Sequence, residues 1–183
     1  TTLVVSPLLA LQADQTNDLE RRGIKSACLN SATGKKETKI ILDSLKDKSL
    51  KLLYIAPETL LRTNDYDELW FLDFLKCECA INHVALDEAH AVVESSQDFR
   101  PKYRQLGILK EYFDDIPFTC LTATATPDNI KEIAFLLSIT DYTLFDHHLH
   151  RSNLHQNVIR KIDETYQLMS LLQKYSKDTT GLI

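Results

Sequence analysis

The feature that most restricts how this chain can fold is a grammar repeated along it, in which a short apolar run enters a cap or turn and then a helical pattern. Apolar runs at 3–5, 51–55, 81–86 and 118–121 lead into Ser6-Pro7, Ala56-Pro57-Glu58, Asp87-Glu88-Ala89-His90 and Thr122-Ala123-Thr124-Ala125-Thr126-Pro127. Serine can cap a helix and proline suits its first turn, so a helix is expected after Pro7, ending near Gly23. After Thr126, Ile130, Ile133, Ala134 and Leu137 recur at the spacing of one helix face. A segment opening at Pro101, with Tyr103, Leu106, Leu109 and Phe113 inward, shows a similar pattern, and 65–76 reads as another helix. Residues 26–29 and 142–145 read as further strands. Strands that alternate with helices need crossover connections, so the expected fold class is α/β, with a three-layer parallel sheet.

The polar, His-rich stretch 146–152 interrupts this pattern and reads as a linker, and apolar character resumes at Val158-Ile159. Two domains are therefore expected, over 1–150 and 151–183. A length of 183 residues suits one domain plus a remainder. With 44% apolar and 26% charged residues, the composition is that of a globular protein rather than a disordered or fibrous one. No run approaches the 18 apolar residues of a membrane-spanning helix, so no membrane partner is expected. The only methionine is Met169 and the chain opens directly on an apolar run, which reads as a piece of a longer protein without a signal peptide. An intracellular location is expected, nuclear in a eukaryote and cytoplasmic in a bacterium.

The net charge of −5 gives no bulk basic footprint for nucleic acid. Arg21, Arg22, Lys25, Lys35, Lys36 and Lys39 form a local basic group, which reads as a solvated face or, alternatively, a contact to a nucleic-acid backbone. Cys28, Cys77, Cys79 and Cys120 are scattered, and the Cys77-Glu78-Cys79 spacing is too tight for zinc, so they read as reduced and mostly buried thiols. His147, His148 and His150 lack accompanying carboxylates or cysteines and read as linker, and Trp70 reads as core.

Every polar cluster at a strand end falls on the carboxyl edge of the expected sheet, where helix N-termini present free N–H groups to anions, phosphates above all. The sharpest cluster is Asp87-Glu88-Ala89-His90, because a buried strand there delivers two adjacent carboxylates at its tip. Phosphoryl transfer to water needs a metal beside the β- and γ-phosphates and a polarised attacking water. One carboxylate on the metal and its neighbour facing the water would meet that need.

These residues resemble superfamily 2 helicases, and within them the RecQ family of DNA helicases. Ser6-Pro7-Leu8-Leu9-Ala10-Leu11-Gln12-Ala13-Asp14-Gln15 resembles motif Ia, and Tyr54-Ile55-Ala56-Pro57-Glu58-Thr59-Leu60 resembles motif Ib. Asp87-Glu88-Ala89-His90 is similar to motif II, the Walker B box, and Leu121-Thr122-Ala123-Thr124-Ala125 to motif III. Asp98-Phe99-Arg100-Pro101 with Tyr103 and Leu106-Gly107 is similar to the end of the aromatic-rich loop, and Arg151-Ser152-Asn153-Leu154 to the hinge opening the second domain. The motifs occur in order over nearly the whole chain.

The resemblance implies a RecA-like sheet of the P-loop NTPase type, lacking its N-terminal edge, in a 3′–5′ DNA helicase using ATP and Mg²⁺. It implies that Asp87 coordinates Mg²⁺ and Glu88 orients or activates the hydrolytic water. His90, Thr122, Ala123 and Thr124, with Phe99 and Arg100, would couple the nucleotide to DNA, single-stranded or forked. Ser6, Pro7, Ala56, Pro57 and Arg100 would contact DNA. Helix N-termini and hydroxyls can grip phosphate without net positive charge, though Ser6 also reads as an N-cap and Phe99 as packing against the Tyr103 helix.

Two departures from the family pattern stand out. The only glycines are Gly23, Gly34, Gly107 and Gly181, so the phosphate loop is absent, and Gly34-Lys35 lacks its partner glycine and hydroxyl. The loop and the arginine-bearing motifs of the second domain would lie outside residues 1–183, and these residues alone are expected neither to hydrolyse ATP nor to unwind DNA. In the aromatic-rich loop, Ser95 and Gln97 stand where the family carries a Trp and a His. A lost stacking platform forfeits about 1–3 kcal/mol per base, so weak stimulation by single-stranded DNA is expected. Two other readings stay open: a nucleic-acid-binding module without catalysis, and a DEAH-type RNA helicase. The Thr122-Ala123-Thr124 run, where such RNA helicases carry Ser-Ala-Thr, and the Asp98-Phe99-Arg100-Pro101 run favour the RecQ type.

Overall fold

The structure is a computed structural model, and it describes residues 1–62, 69–94, 101–146, 152–155 and 157–173. It divides into two compact units, Thr1–Tyr142 and Thr143–Ile183. In the first, the chain runs β1 (Thr2–Val5), α1 (Leu9–Arg21), β2 (Ser26–Leu29), α2 (Lys35–Lys46), β3 (Leu52–Ile55), α3 (Pro57–Leu60), α4 (Trp70–Glu78) and β4 (His83–Leu86). It continues through α5 (Ala91–Glu94), α6 (Pro101–Arg104), a 3-10 turn at Gln105–Gly107, α7 (Ile108–Tyr112), β5 (Phe118–Cys120) and α8 (Pro127–Leu136).

The five strands form one parallel sheet in the order β2-β3-β1-β4-β5. From β1 the chain moves one way along the sheet, to β2; every later step, to β3, β4 and β5, moves the other way. Right-handed crossovers then put α1 on one face and α2 to α7 on the other, giving three layers. β1 and β4 are neighbours whose chains leave for opposite faces, so a crevice opens between their carboxyl ends.

The central strands are apolar along their length because both faces are covered. Leu3, Val5, Leu53, Ile55, Val84 and Leu86 are fully buried. From the helical layer, Leu45, Phe71, Leu72, Leu75, Tyr103, Leu106 and Leu109 close the core. Trp70 is half-buried and packs against this cluster, edge-on to Phe71 at 5.3 Å between ring centroids.

Several expectations from the residue pattern are corrected. The helix after Pro7 begins at Leu9 with Leu8 as its N-cap and no side-chain cap, so Ser6 does not cap it. Its other end is as expected, with Gly23 in the left-handed region at φ 75°. Gly34 is the N-cap of α2. Residues 142–145 form no strand: Tyr142, Leu144 and Phe145 are exposed, and no strand among the described residues pairs with them. The segment after Pro101 keeps its inward face but breaks into three short pieces around Gly107. Cys77 and Cys120 are exposed and Cys28 and Cys79 half-buried, so the thiols are less covered than expected. The six basic residues do not form one group, since Arg21, Arg22 and Lys25 precede β2 while Lys35, Lys36 and Lys39 follow it, at opposite edges of the sheet.

In the second unit, α9 (Glu164–Leu172) is capped by the Asp163 carboxylate, which accepts from the Tyr166 N–H. Arg151 of the hinge and the His147, His148 and His150 run lie outside the described residues.

Candidate active site at the carboxyl edge of the sheet

The backbone delivers Asp87 by extending the ladder beyond β4. Its N–H donates to the Val5 carbonyl at 2.9 Å, and the Leu121 N–H donates to Leu86 at 2.8 Å. The next residues turn back: the Ala89 N–H reaches the Leu121 carbonyl at 2.9 Å, stitching the acidic tip to the start of the threonine-rich stretch. Ala89 is fully buried, so the turn is clamped between two half-exposed carboxylates and His90.

Glu88 makes this turn at φ 50°, a left-handed conformation that disfavours a residue with a Cβ by roughly 1–2 kcal/mol. The surrounding bonds hold it there. The Glu88 N–H donates to Asp87 Oδ1 at 3.0 Å, and the Glu88 carbonyl accepts from the Ala91 N–H at 2.9 Å.

The other oxygen of Asp87, Oδ2, accepts from the Ser6 hydroxyl at 3.1 Å, across the β1/β4 crevice. Two of the carboxylate's roughly four lone-pair positions are thereby used, and the half-exposed group keeps the others. Tyr54, on neighbouring β3, is nearly buried, and its hydroxyl is held above the usual phenol range, first by burial and then by the Asp87 charge.

His90 Nδ1 lies 3.3 Å from Glu88 Oε2 and 3.0 Å from Thr122 Oγ1, and Nε2 lies 3.9 Å from Glu94 Oε2. The Thr122 contact is the hydrogen bond, with its direction set by the ring tautomer, and the two carboxylates stand at ion-pair distance from the ring. Thr122 Oγ1 also accepts from the Thr124 N–H at 3.4 Å. The ring thus joins the acidic tip to the stretch after β5, from which the Thr126 hydroxyl caps α8 by accepting from the Asn129 N–H.

Of the residues singled out in the sequence, Asp87, Glu88, His90 and Thr122 come together here. Ala123 and Thr124 are exposed beside them. Ser6, Ala56 and Pro57, expected at a nucleic-acid backbone, are buried, with Ser6 and Ala56 at 0% and 5% exposure. Their side chains are closed off, and what faces outward beside them is Leu8, Leu9 and Glu58, with Pro7 half-buried. Phe99, Arg100, Ser95 and Gln97 lie outside the described residues. Residue pattern alone missed Gln12, which is fully buried on α1, and Tyr103, whose hydroxyl lies 3.4 Å from the Asp87 carbonyl. A buried glutamine carries no periodic signal; Tyr103 was legible only as an inward aromatic.

The Asp87 carboxylate suits magnesium, which keeps several waters and is held by one or two carboxylates plus substrate phosphates. Among the described residues no group of three or more His, Cys, Asp or Glu side chains forms a metal cage.

Comparison with known proteins adds sequence relationships to this geometry. The profile of the DEAD/DEAH box helicases matches residues 1–133. The chain is 36% identical over 189 residues to the ATP-dependent DNA helicase RecQ of Synechocystis sp., covering 100% of this chain and 38% of that protein. The ATP-dependent DNA helicase RecQ of Pasteurella multocida is 34% identical over 167 residues, covering 91% of this chain and 25% of that protein. A putative ATP-dependent DNA helicase Q1 of Caenorhabditis elegans is 35% identical over 191 residues, covering 99% and 29%. The chain therefore spans between a quarter and two fifths of the length of these relatives.

Proposed function

The chain belongs to the DEAD/DEAH box helicase family, and from that premise we propose that residues 1–150 are most of the first RecA-like domain of an ATP-dependent 3′–5′ DNA helicase of the RecQ type. Residues 151–183 are, in this reading, the start of the second such domain. The order of the motifs, and relatives bearing the RecQ name over the whole chain, support it. The observation that carries it is the acidic tip itself. Two adjacent carboxylates stand at the β1/β4 switch point, one fixed by Ser6 and the other joined through His90 to Thr122.

Each residue has a role that follows from its contacts. Asp87 presents its free lone pairs outward from the crevice and would hold Mg²⁺. The metal, when bound, offsets phosphate charge and polarises the terminal phosphoryl group. Glu88, one residue along and turned by its left-handed backbone, would accept a proton from the attacking water. His90, beside the Glu88 carboxylate and hydrogen-bonded to Thr122, would pass a shift of the tip to the stretch leading into α8. DNA, single-stranded or forked, would lie along the same edge. The exposed Ala123 and Thr124 and the segment at 7–10 would face it, with Phe99 and Arg100 as further contacts.

The test is strand displacement by the full-length protein with ATP and Mg²⁺, on DNA duplexes carrying a 3′ or a 5′ tail and on a matched RNA duplex. Separation of the 3′-tailed DNA is the expected result. Separation of RNA instead would favour an RNA helicase, and binding without ATP turnover would favour a non-catalytic binding module.

A further inference from the structure

We propose that Ser6 is a positioning residue for Asp87, locked in that task by Gln12; the inference rests on the nucleotide-site reading above. Every polar group of Ser6 is engaged, and none faces outward. Its N–H donates to the Ile55 carbonyl at 3.1 Å, its carbonyl accepts from Gln12 Nε2 at 2.7 Å, and its hydroxyl donates to Asp87 Oδ2 at 3.1 Å. Ser6 and Gln12 both have 0% exposure.

The bonds continue from there to the edge strand β2. Gln12 Oε1 accepts from the Cys28 thiol at 3.0 Å, and Cys28 Sγ accepts from Asn30 Nδ2 at 3.0 Å. The glutamine amide is therefore held at both ends, and it fixes the peptide that carries the serine. A single hydroxyl is thus presented to one carboxylate oxygen from a rigid site at the end of a central strand. Other roles for Ser6 conflict with the geometry. It does not cap α1, which starts at Leu9 without a side-chain cap, and its burial closes it to nucleic acid.

The consequence is mechanical. The Glu88 N–H on Oδ1 and the Ser6 hydroxyl on Oδ2 together set the plane of the Asp87 carboxylate. Without the hydroxyl, one oxygen is released and the group can rotate about its side-chain bonds. A metal site built on a single carboxylate depends on that orientation, because outer hydrogen-bond partners align the ligands they touch.

The test uses the full-length protein, a non-hydrolysable ATP analogue and Mn²⁺ in place of Mg²⁺, with bound metal read by electron paramagnetic resonance. Ser6→Ala is expected to raise the Mn²⁺ concentration for half-saturation about tenfold, the lower end of what loss of an outer partner of a metal ligand costs. Metal-free nucleotide binding and single-stranded DNA binding should be unchanged. Gln12→Met, which keeps the volume but frees the Ser6 carbonyl, should shift the metal titration in the same direction by less. Ser6→Thr, which keeps the hydroxyl, should restore most of the affinity. An unchanged titration for Ser6→Ala, alone or together with lost DNA binding, overturns the inference. Asp87→Asn in parallel separates the two claims. If it weakens Mn²⁺ binding and Ser6→Ala does not, only the role of Ser6 falls. If neither does, the nucleotide site falls with it.

Discussion

Glu88→Gln in the full-length protein is expected to lower steady-state ATP turnover by about 10²–10⁴-fold, the range that a positioned general base contributes. Nucleotide binding and DNA binding should persist. The substitution is nearly isosteric, and the amide can still sit beside His90 Nδ1, which lies 3.3 Å from Glu88 Oε2. The glutamine keeps the turn and the link to Thr122, and loses only the ability to take a proton. Turnover within a few-fold of the unsubstituted protein would remove Glu88 from the chemistry. A matched loss of nucleotide binding would make its role one of shape.

The largest expected effect on stability comes from a glycine that is not in a left-handed conformation. Gly107 sits at the start of α7 with φ −54°. Alanine fits that backbone, and relief of chain entropy alone would stabilise the protein by about 0.4–1 kcal/mol. Space decides the opposite. A Cβ at Gly107 would lie 2.5 Å from the Leu136 carbonyl oxygen, at the end of α8, and that oxygen is backbone and cannot swing away. The two elements would have to separate, and overpacking of this kind destabilises by about 1–3 kcal/mol. At about 2–4 °C per kcal/mol for a protein of this size, Gly107→Ala should lower the melting temperature by about 2–12 °C. Thermal denaturation followed by circular dichroism checks this, and an unchanged or higher melting temperature would show that α7 and α8 are not packed as described.

The strand-and-turn grammar made the parallel sheet legible before any coordinates, because apolar runs that end in polar clusters describe strands buried on both faces with a shared functional edge. The two carboxylates were legible for the same reason, Asp87 and Glu88 being the point at which an apolar strand becomes charged. Burial of individual polar side chains was not legible. Ser6 reads as a cap or a phosphate contact in any local pattern. Only the adjacency of β1 and β4, which are 81 residues apart at the Ser6–Asp87 bond, turns it toward a carboxylate. The expected strand at 142–145 failed because a short run such as Tyr142-Thr143-Leu144-Phe145 defines a strand only where another strand is there to pair. The break at Gly107 was hidden too, since an inward face at helical spacing survives a 3-10 turn that shortens the helix around a close contact.

The decisive measurement is Mg²⁺-dependent phosphate release from ATP by the full-length protein carrying Asp87→Asn together with Glu88→Gln, compared with the unsubstituted protein at saturating DNA. Release falling below about a hundredth of the unsubstituted rate is the predicted result, since both the metal carboxylate and the base are gone. Release at an undiminished rate would contradict the account, because the switch-point crevice would then hold no part of the nucleotide chemistry.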